Sequence, residues 1–133
     1  MEKKIVSLID DDQVYQTITK HIAEKHKDVK EVLQFFDGEE GINFFKTNKD
    51  DGDLLPDLIL LDINMPYMNG WQFIDELVDL KIEGYHPVIY IVTSSSNKDD
   101  IDKAQDYLQV TGYHVKPVKR ENFEAFMMQT FAN

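Results

Sequence analysis

Leu58-Ile59-Leu60-Leu61-Asp62 (LILLD, residues 58–62) is the stretch on which the fold turns. Four consecutive apolar residues stopped by an acid are too short for a helix and suit a strand buried on both faces. Downstream, Phe73, Ile74, Leu77 and Val78 recur at helical spacing. Upstream, Ile5 to Ile9 is a second short apolar run, stopped by Asp10-Asp11-Asp12, and Val14, Ile18 and Ile22 again follow at helical spacing. Val29, Val32, Leu33, Phe35 and Phe36 predict a second strand, and Ile42 and Phe45 after Asp37-Gly38 a short second helix. Val88 to Val92, ending at Thr93, predicts a fourth strand, and Ile101, Ala104 and Leu108 a fourth helix. Tyr113 to Val115 predicts a brief fifth strand, and Phe123, Phe126, Met127 and Thr130 or Phe131 a last helix.

Five strand-then-helix units with nearly continuous apolar strands imply an α/β fold. The expected form is a (βα)5 doubly wound, five-stranded parallel sheet covered on both faces. At 133 residues the chain fits one domain. Lys46 to Pro56 (KTNKDDGDLLP) is polar and predicts a long surface loop. It is no calcium loop: with Gly52 at the sixth position, Thr47 and Leu58 would occupy the first and twelfth, where acids are required.

Composition removes several classes of function. The absence of cysteine excludes disulfides, zinc–thiolate sites and thiol catalysis. A formal charge of -11 without a basic stretch argues against nucleic-acid binding. The apolar run after MEKK is too short for a signal peptide or a membrane span, so no membrane association and a cytoplasmic location are expected. His21, His26, His86 and His114 lack metal-ligand spacing, and Trp71 is expected in a core or an interface.

The informative polar residues stand where strands stop: Asp10 and Asp11, Asp62, Thr93 and Lys116. In a doubly wound sheet, ligands bind outside the carboxyl ends of the strands, so these groups converge on one edge. Gathered carboxylates repel one another unless a cation intervenes, and an oxygen-only site suits Mg²⁺ or Mn²⁺. Acids, a hydroxyl and a lysine around a hard cation suit phosphoryl transfer, in which an ionised aspartate attacks without a general base. Plainer roles stand beside these: an aspartate of the triplet as a helix cap, Asn69 as cap of the third helix or Asn69-Gly70 as a hairpin turn, and Tyr113 as a half-buried structural ring.

IDDD (9–12), LLDINMPYMNG (60–70), IVTSS (91–95) and GYHVKP (112–117), in that order, resemble the bacterial response-regulator receiver domains, the CheY-like family. Asp62 lies 51 residues after Asp11, Thr93 31 after Asp62 and Lys116 23 after Thr93. The resemblance covers essentially the whole chain. It implies strand order 2-1-3-4-5, Asp62 as phosphoacceptor, and Asp11 as a direct metal ligand with Asp10 acting largely through water. It further implies metal contact by Asp62 and by the backbone carbonyl of Asn64, Thr93 as switch hydroxyl, Lys116 as phosphate-binding lysine, a cis Lys116–Pro117 peptide and Tyr113 as aromatic switch. The implied partners are a sensor histidine kinase or a histidine phosphotransfer protein, and a downstream protein meeting the helix 4–strand 5–helix 5 face. Asp12, Ser94, Ser95 and the loop at 46–56 depart modestly from the family pattern. The chain is expected to be a lone receiver over residues 1–133 without an output domain, and no enzyme beyond its own phosphorylation and dephosphorylation. The competing expectation is a metal-dependent phosphohydrolase using the same carboxylates. It is disfavoured because no second acid follows shortly after Asp62 to serve as general acid and no cap domain is apparent.

Overall fold

A computed structural model describes residues 2–133. The expected domain starts one residue earlier, at Met1, which lies outside the described residues. The elements are β1 (Lys4–Ile9), α1 (Gln13–Glu24), β2 (Val29–Phe35), α2 (Gly38–Asn48), a 3-10 turn (Gly52–Leu54), β3 (Leu58–Leu61), α3 (Gly70–Asp79), β4 (Val88–Thr93), α4 (Lys98–Gln105), β5 (Val110–Val115) and α5 (Arg120–Ala132). All five strands are parallel, in the order 2-1-3-4-5.

The LILL run is β3, the central strand, and its four side chains are buried. Strand side chains alternate between faces. Ile59 and Leu61 therefore enter a core with Ile42 and Phe45 of α2, Trp71, Phe73, Ile74 and Leu77 of α3 and Ala104 of α4. Leu58 and Leu60 enter the opposite core with Tyr15 and Ala23 of α1 and Phe123, Phe126 and Met127 of α5. Each buried leucine or isoleucine contributes about 1.5–3 kcal/mol over an exposed one.

Four expectations need correction in detail. Val14 and Ile18 do form part of α1, but they face solvent at 70% and 54% exposure, and Tyr15, Gln16, Thr19 and Ala23 face the sheet. The cause is polar. Gln16 is fully buried, and its side-chain amide donates to the carbonyls of Leu8 (3.2 Å), Asp10 (3.1 Å) and Phe35 (2.9 Å). Its own carbonyl oxygen accepts from Gln34 at 3.1 Å. Left unpaired, the buried Gln16 amide would cost more than two exposed aliphatics, so the glutamine sets the rotation of the helix.

The expected loop at 46–56 is shorter. Helix α2 runs on to Asn48, whose amide donates to the Phe44 carbonyl at 2.9 Å, and Leu55 is buried beyond the 3-10 turn. Leu108 lies past the end of α4 and is almost wholly exposed. The chain turns through the Asp106 and Tyr107 N–H groups, and Tyr107 supplies the anchor by stacking on Trp71 at 5.1 Å between centroids. Strand β5 begins at Val110, three residues before the expected Tyr113, because its pairing with β4 starts at Ile89↔Val110.

Candidate functional site

Register delivers the polar groups to one edge. Ile9 pairs with Leu61, Leu61 with Ile91 and Thr93 with Val115, so the residues following these strands come level. Backbone bonds hold them there: Asp10 N to Phe35 O at 3.0 Å, Asp62 N to Ile9 O at 3.0 Å and Lys116 N to Thr93 O at 2.8 Å. Carboxylate oxygens of Asp10, Asp11 and Asp62 lie within 4.8 Å of one another; Asp11 is exposed, the other two buried. Lys116 Nζ stands 2.8 Å from Asp10 Oδ2 and 3.9 Å from Asp62 Oδ2. The Lys116–Pro117 peptide is cis.

The third acid of the triplet has a separate role. Asp12 caps α1, accepting from Tyr15 N at 3.1 Å, and its own N–H donates to Asp10 Oδ1 at 2.8 Å. The cap thus orients Asp10 while satisfying a free helix donor. On the other side, Asp62 Oδ1 accepts from Ile63 N at 2.8 Å. The segment from Ile63 to Gly70 is closed by Gly70 N to Ile63 O at 2.8 Å, and Asn69 and Gln72 form a reciprocal capping box at the start of α3. Asn69-Gly70 is therefore a helix start and no hairpin. A side chain at Gly70 would overlap the Asp62 carbonyl oxygen and crowd Ile63 Cα.

Burial raises the pKa of both enclosed acids. Asp10 is pushed up to about 6, chiefly by desolvation, against the opposing Lys116 contact and the Asp12 N–H. Asp62 is raised for the same first reason, with hydrogen bonding from Thr93, the charge of Lys116 and the Ile63 and Asn64 N–H groups pulling it back. Asp10 Oδ2 is fully enclosed and lacks an aligned hydrogen-bond donor. Its contact with Lys116 is close but off-angle, an ion pair without a directed bond.

Three acids around one ammonium leave uncompensated negative charge. That imbalance and an oxygen-only donor set fit a hard divalent cation. Asn64 is exposed, and its backbone N–H reaches the Asp62 carboxylate.

Thr93 is buried, and its Oγ1 accepts from Ser95 N at 3.4 Å. Tyr113 is half-buried, and its hydroxyl donates to the Ser95 carbonyl at 2.8 Å. Ser95 Oγ donates to Asp100 of α4 at 2.7 Å. Ser95 therefore touches the site, β5 and α4 at once.

Two residues at the site escaped the sequence reading. Gln16 staples the ends of β1 and β2 and so fixes Asp10. Tyr15 places its ring under Lys116, with Nζ 4.3 Å from the ring centroid. Neither lies on an apolar repeat, and their only sequence signal is a tyrosine–glutamine pair just after the acid triplet.

The sequence model of the response regulator receiver domain matches residues 6–127. The chain is 30% identical over 131 residues to the nitrate/nitrite response regulator protein NarL of Escherichia coli, covering 98% of this chain and 56% of that protein. It is 35% identical over 124 residues to the probable C4-dicarboxylate response regulator DctR of Halalkalibacterium halodurans, covering 93% of this chain and 50% of that one. The chain thus spans about half the length of these curated relatives. In three dimensions it resembles a two-component response regulator from Cytophaga hutchinsonii with a TM-score of 0.83, 25% identity and full coverage of both chains. Among the described residues no helix is long and apolar enough to cross a membrane. With the 2-1-3-4-5 parallel sheet and the acid cluster at its carboxyl edge, the chain belongs to the response regulator receiver domain family of two-component systems.

Proposed function

We propose that this chain is a phosphoacceptor: Asp62 takes a phosphoryl group from a phosphohistidine of a sensor histidine kinase or a histidine phosphotransfer protein. The carrying observation is the position of the Asp62 carboxylate, with one oxygen held by Ile63 N and the other facing Lys116, beside two further acids. The carboxylates of Asp10, Asp11 and Asp62 and the carbonyl of Asn64 would hold Mg²⁺ or Mn²⁺. When bound, the cation neutralises charge on the acids and on the phosphoryl oxygens.

The residues divide the remaining work. Ile63 N fixes one Asp62 oxygen and leaves the other to attack phosphorus in line. An Oδ–P bond forms as the P–N bond to the donor's imidazole breaks, and that electron pair returns to the imidazole nitrogen. Lys116 meets the phosphoryl oxygens, and the Thr93 hydroxyl turns toward them. Thr93 then gives up its 3.4 Å contact with Ser95 N, the longest bond in the chain from site to β5. The Ser95 segment and Tyr113 adjust, which biases the face of α4, β5 and α5 toward a protein target.

Asp11 and Asn64 are exposed beside the buried Asp62 carboxylate, the side from which a partner's histidine would approach. A cleft of about 990 Å³ between Lys4, Asp57, Leu80 and Asn133 lies elsewhere, against the residues that precede β3 and β4. Acetyl phosphate with Mg²⁺ should phosphorylate the protein once, by intact-mass spectrometry, and Asp62→Asn should abolish the adduct. Equal labelling of that variant, or none of the wild type, refutes the reading.

A further inference from the structure

Lys116 is held by more than acids. Its Nζ has Asp10, Asp12 and Asp62 oxygens at 2.8, 3.9 and 3.9 Å, and the Tyr15 ring beneath it at 4.3 Å from the centroid. These four neighbours differ in what survives when the site is charged. Asp10 and Asp62 belong to the cation cluster, so a bound cation competes with the ammonium for them. Asp12 is half-exposed and screened by water. The ring carries no net charge. It attracts an ammonium through its quadrupole without competing as a ligand for a hard metal.

The ring is also enclosed by its surroundings. Tyr15 is 8% exposed, packed in the α1–α5 core, and α1 cannot rotate because Gln16 is bonded to three carbonyls next to it. Lysine, by contrast, ends a flexible four-carbon stem. From its closest partner, Asp10, the ammonium has to serve chemistry at Asp62, and a fixed apolar platform limits where it can go.

We propose that Tyr15 is a positioning residue that clamps Lys116: its ring face keeps the ammonium aimed into the Asp62 pocket when the acids are engaged by a cation. The consequence for phosphorylation rests on the phosphoacceptor reading; the clamp itself does not. The Tyr15 hydroxyl is buried without an aligned partner, so phenylalanine preserves the clamp and leucine, apolar but smaller and without a π face, removes it.

The test has two arms. In ¹H–¹³C spectra of the resting protein, the Lys116 ε-methylene protons should resonate upfield of the exposed lysines through the ring current. Tyr15→Phe should keep that displacement and Tyr15→Leu lose it. In the second arm, the maximal rate of phosphorylation by acetyl phosphate should fall roughly three- to thirtyfold in Tyr15→Leu and stay within about twofold in Tyr15→Phe. The Mg²⁺ affinity should be unchanged in both, since the three carboxylates remain. A merely structural tyrosine would not separate rate from cation affinity in this way. Unshifted Lys116 protons in the wild type overturn the proposal, as does a Tyr15→Leu protein with wild-type maximal rate. Should Tyr15→Leu fail to fold, the wild-type and Tyr15→Phe spectra and rates decide. Wild-type protein with shifted Lys116 protons but no phosphoryl uptake would instead refute the phosphoacceptor reading and leave the clamp standing.

Discussion

Replacing Asp10 by asparagine tests the electrostatics of the site without any phosphoryl donor. The folded protein holds the Asp10 proton up to about pH 6, against 3.8 for the ordinary carboxyl group, because burial penalises the anion. The sign follows from linkage. The folded state binds the proton more tightly, so this group's contribution is fully present below pH 3.8 and is lost as pH rises through 6. Above that, the wild type carries a buried, incompletely compensated anion costing up to about 3 kcal/mol. Asparagine retains an oxygen for Asp12 N and removes the charge, while Lys116 keeps Asp62 and Asp12 as neighbours. That figure already includes the Asp10–Lys116 attraction, so the variant should gain up to about 3 kcal/mol, or roughly 8–15 °C in Tm for a domain of this size. Urea titrations in EDTA should therefore give nearly equal stabilities for wild type and Asp10→Asn at pH 4, with the variant ahead at pH 7.5. Excess Mg²⁺ should erase most of that lead, because binding adds about 2.7 kcal/mol at a hundred times Kd and the variant has lost a carboxylate of the cluster. A variant less stable than wild type at pH 7.5 in EDTA, or a difference independent of pH, refutes the reasoning.

Ser7 is wholly buried in β1 and its hydroxyl has no partner, so Ser7→Ala should gain about 1 kcal/mol in a urea titration at constant m. Gly70→Ala should lose roughly 2–4 kcal/mol, because a methyl group there meets the Asp62 backbone, and phosphoryl uptake should fall even at temperatures where the variant stays folded. Tyr67 is 95% exposed with φ 67°, a left-handed conformation disfavoured for an aromatic residue; Tyr67→Asn should raise the urea midpoint by the equivalent of about 0.5–1 kcal/mol.

What was legible in the sequence was the edge of the sheet. Apolar runs that stop at Asp10, Asp62 and Thr93 announce their own boundaries, and parallel pairing makes those boundaries level. The cis Lys116–Pro117 peptide came with the family motif and is present. The rotation of α1 was not legible. Val14, Ile18 and Ile22 make a better apolar stripe than Tyr15, Thr19 and Ala23, and the three carbonyls that accept from the buried Gln16 amide reverse the choice. Those carbonyls come from β1, β2 and the turn between them and α1, so no local pattern contains them. The same blindness hid Tyr15, whose value depends on Lys116, 101 positions later in the chain. The fourth helix failed differently: its only buried residue is Ala104, and a periodicity with one small member cannot mark an end.

The costly features of this molecule sit where the proposed phosphorylation would change the charge. Asp10 and Asp62 are buried with raised pKa, and Tyr67 holds a left-handed backbone five residues after Asp62. Around them the supports are saturated: Gln16 on β1 and β2, Asp12 on α1, and the Asn69–Gln72 box on α3. A site that was merely loose would dissipate a new charge by rearranging locally. Here the acids cannot retreat into water, so neutralising them alters the stability of the strand ends themselves. The one long contact leaving the site, Thr93 Oγ1 to Ser95 N at 3.4 Å, leads to a serine bonded at 2.8 Å to Tyr113 and at 2.7 Å to Asp100. Under the proposed phosphorylation of Asp62, a firmly held frame with this weak contact would direct the response along it, so β5 and α4 are the elements expected to register the change.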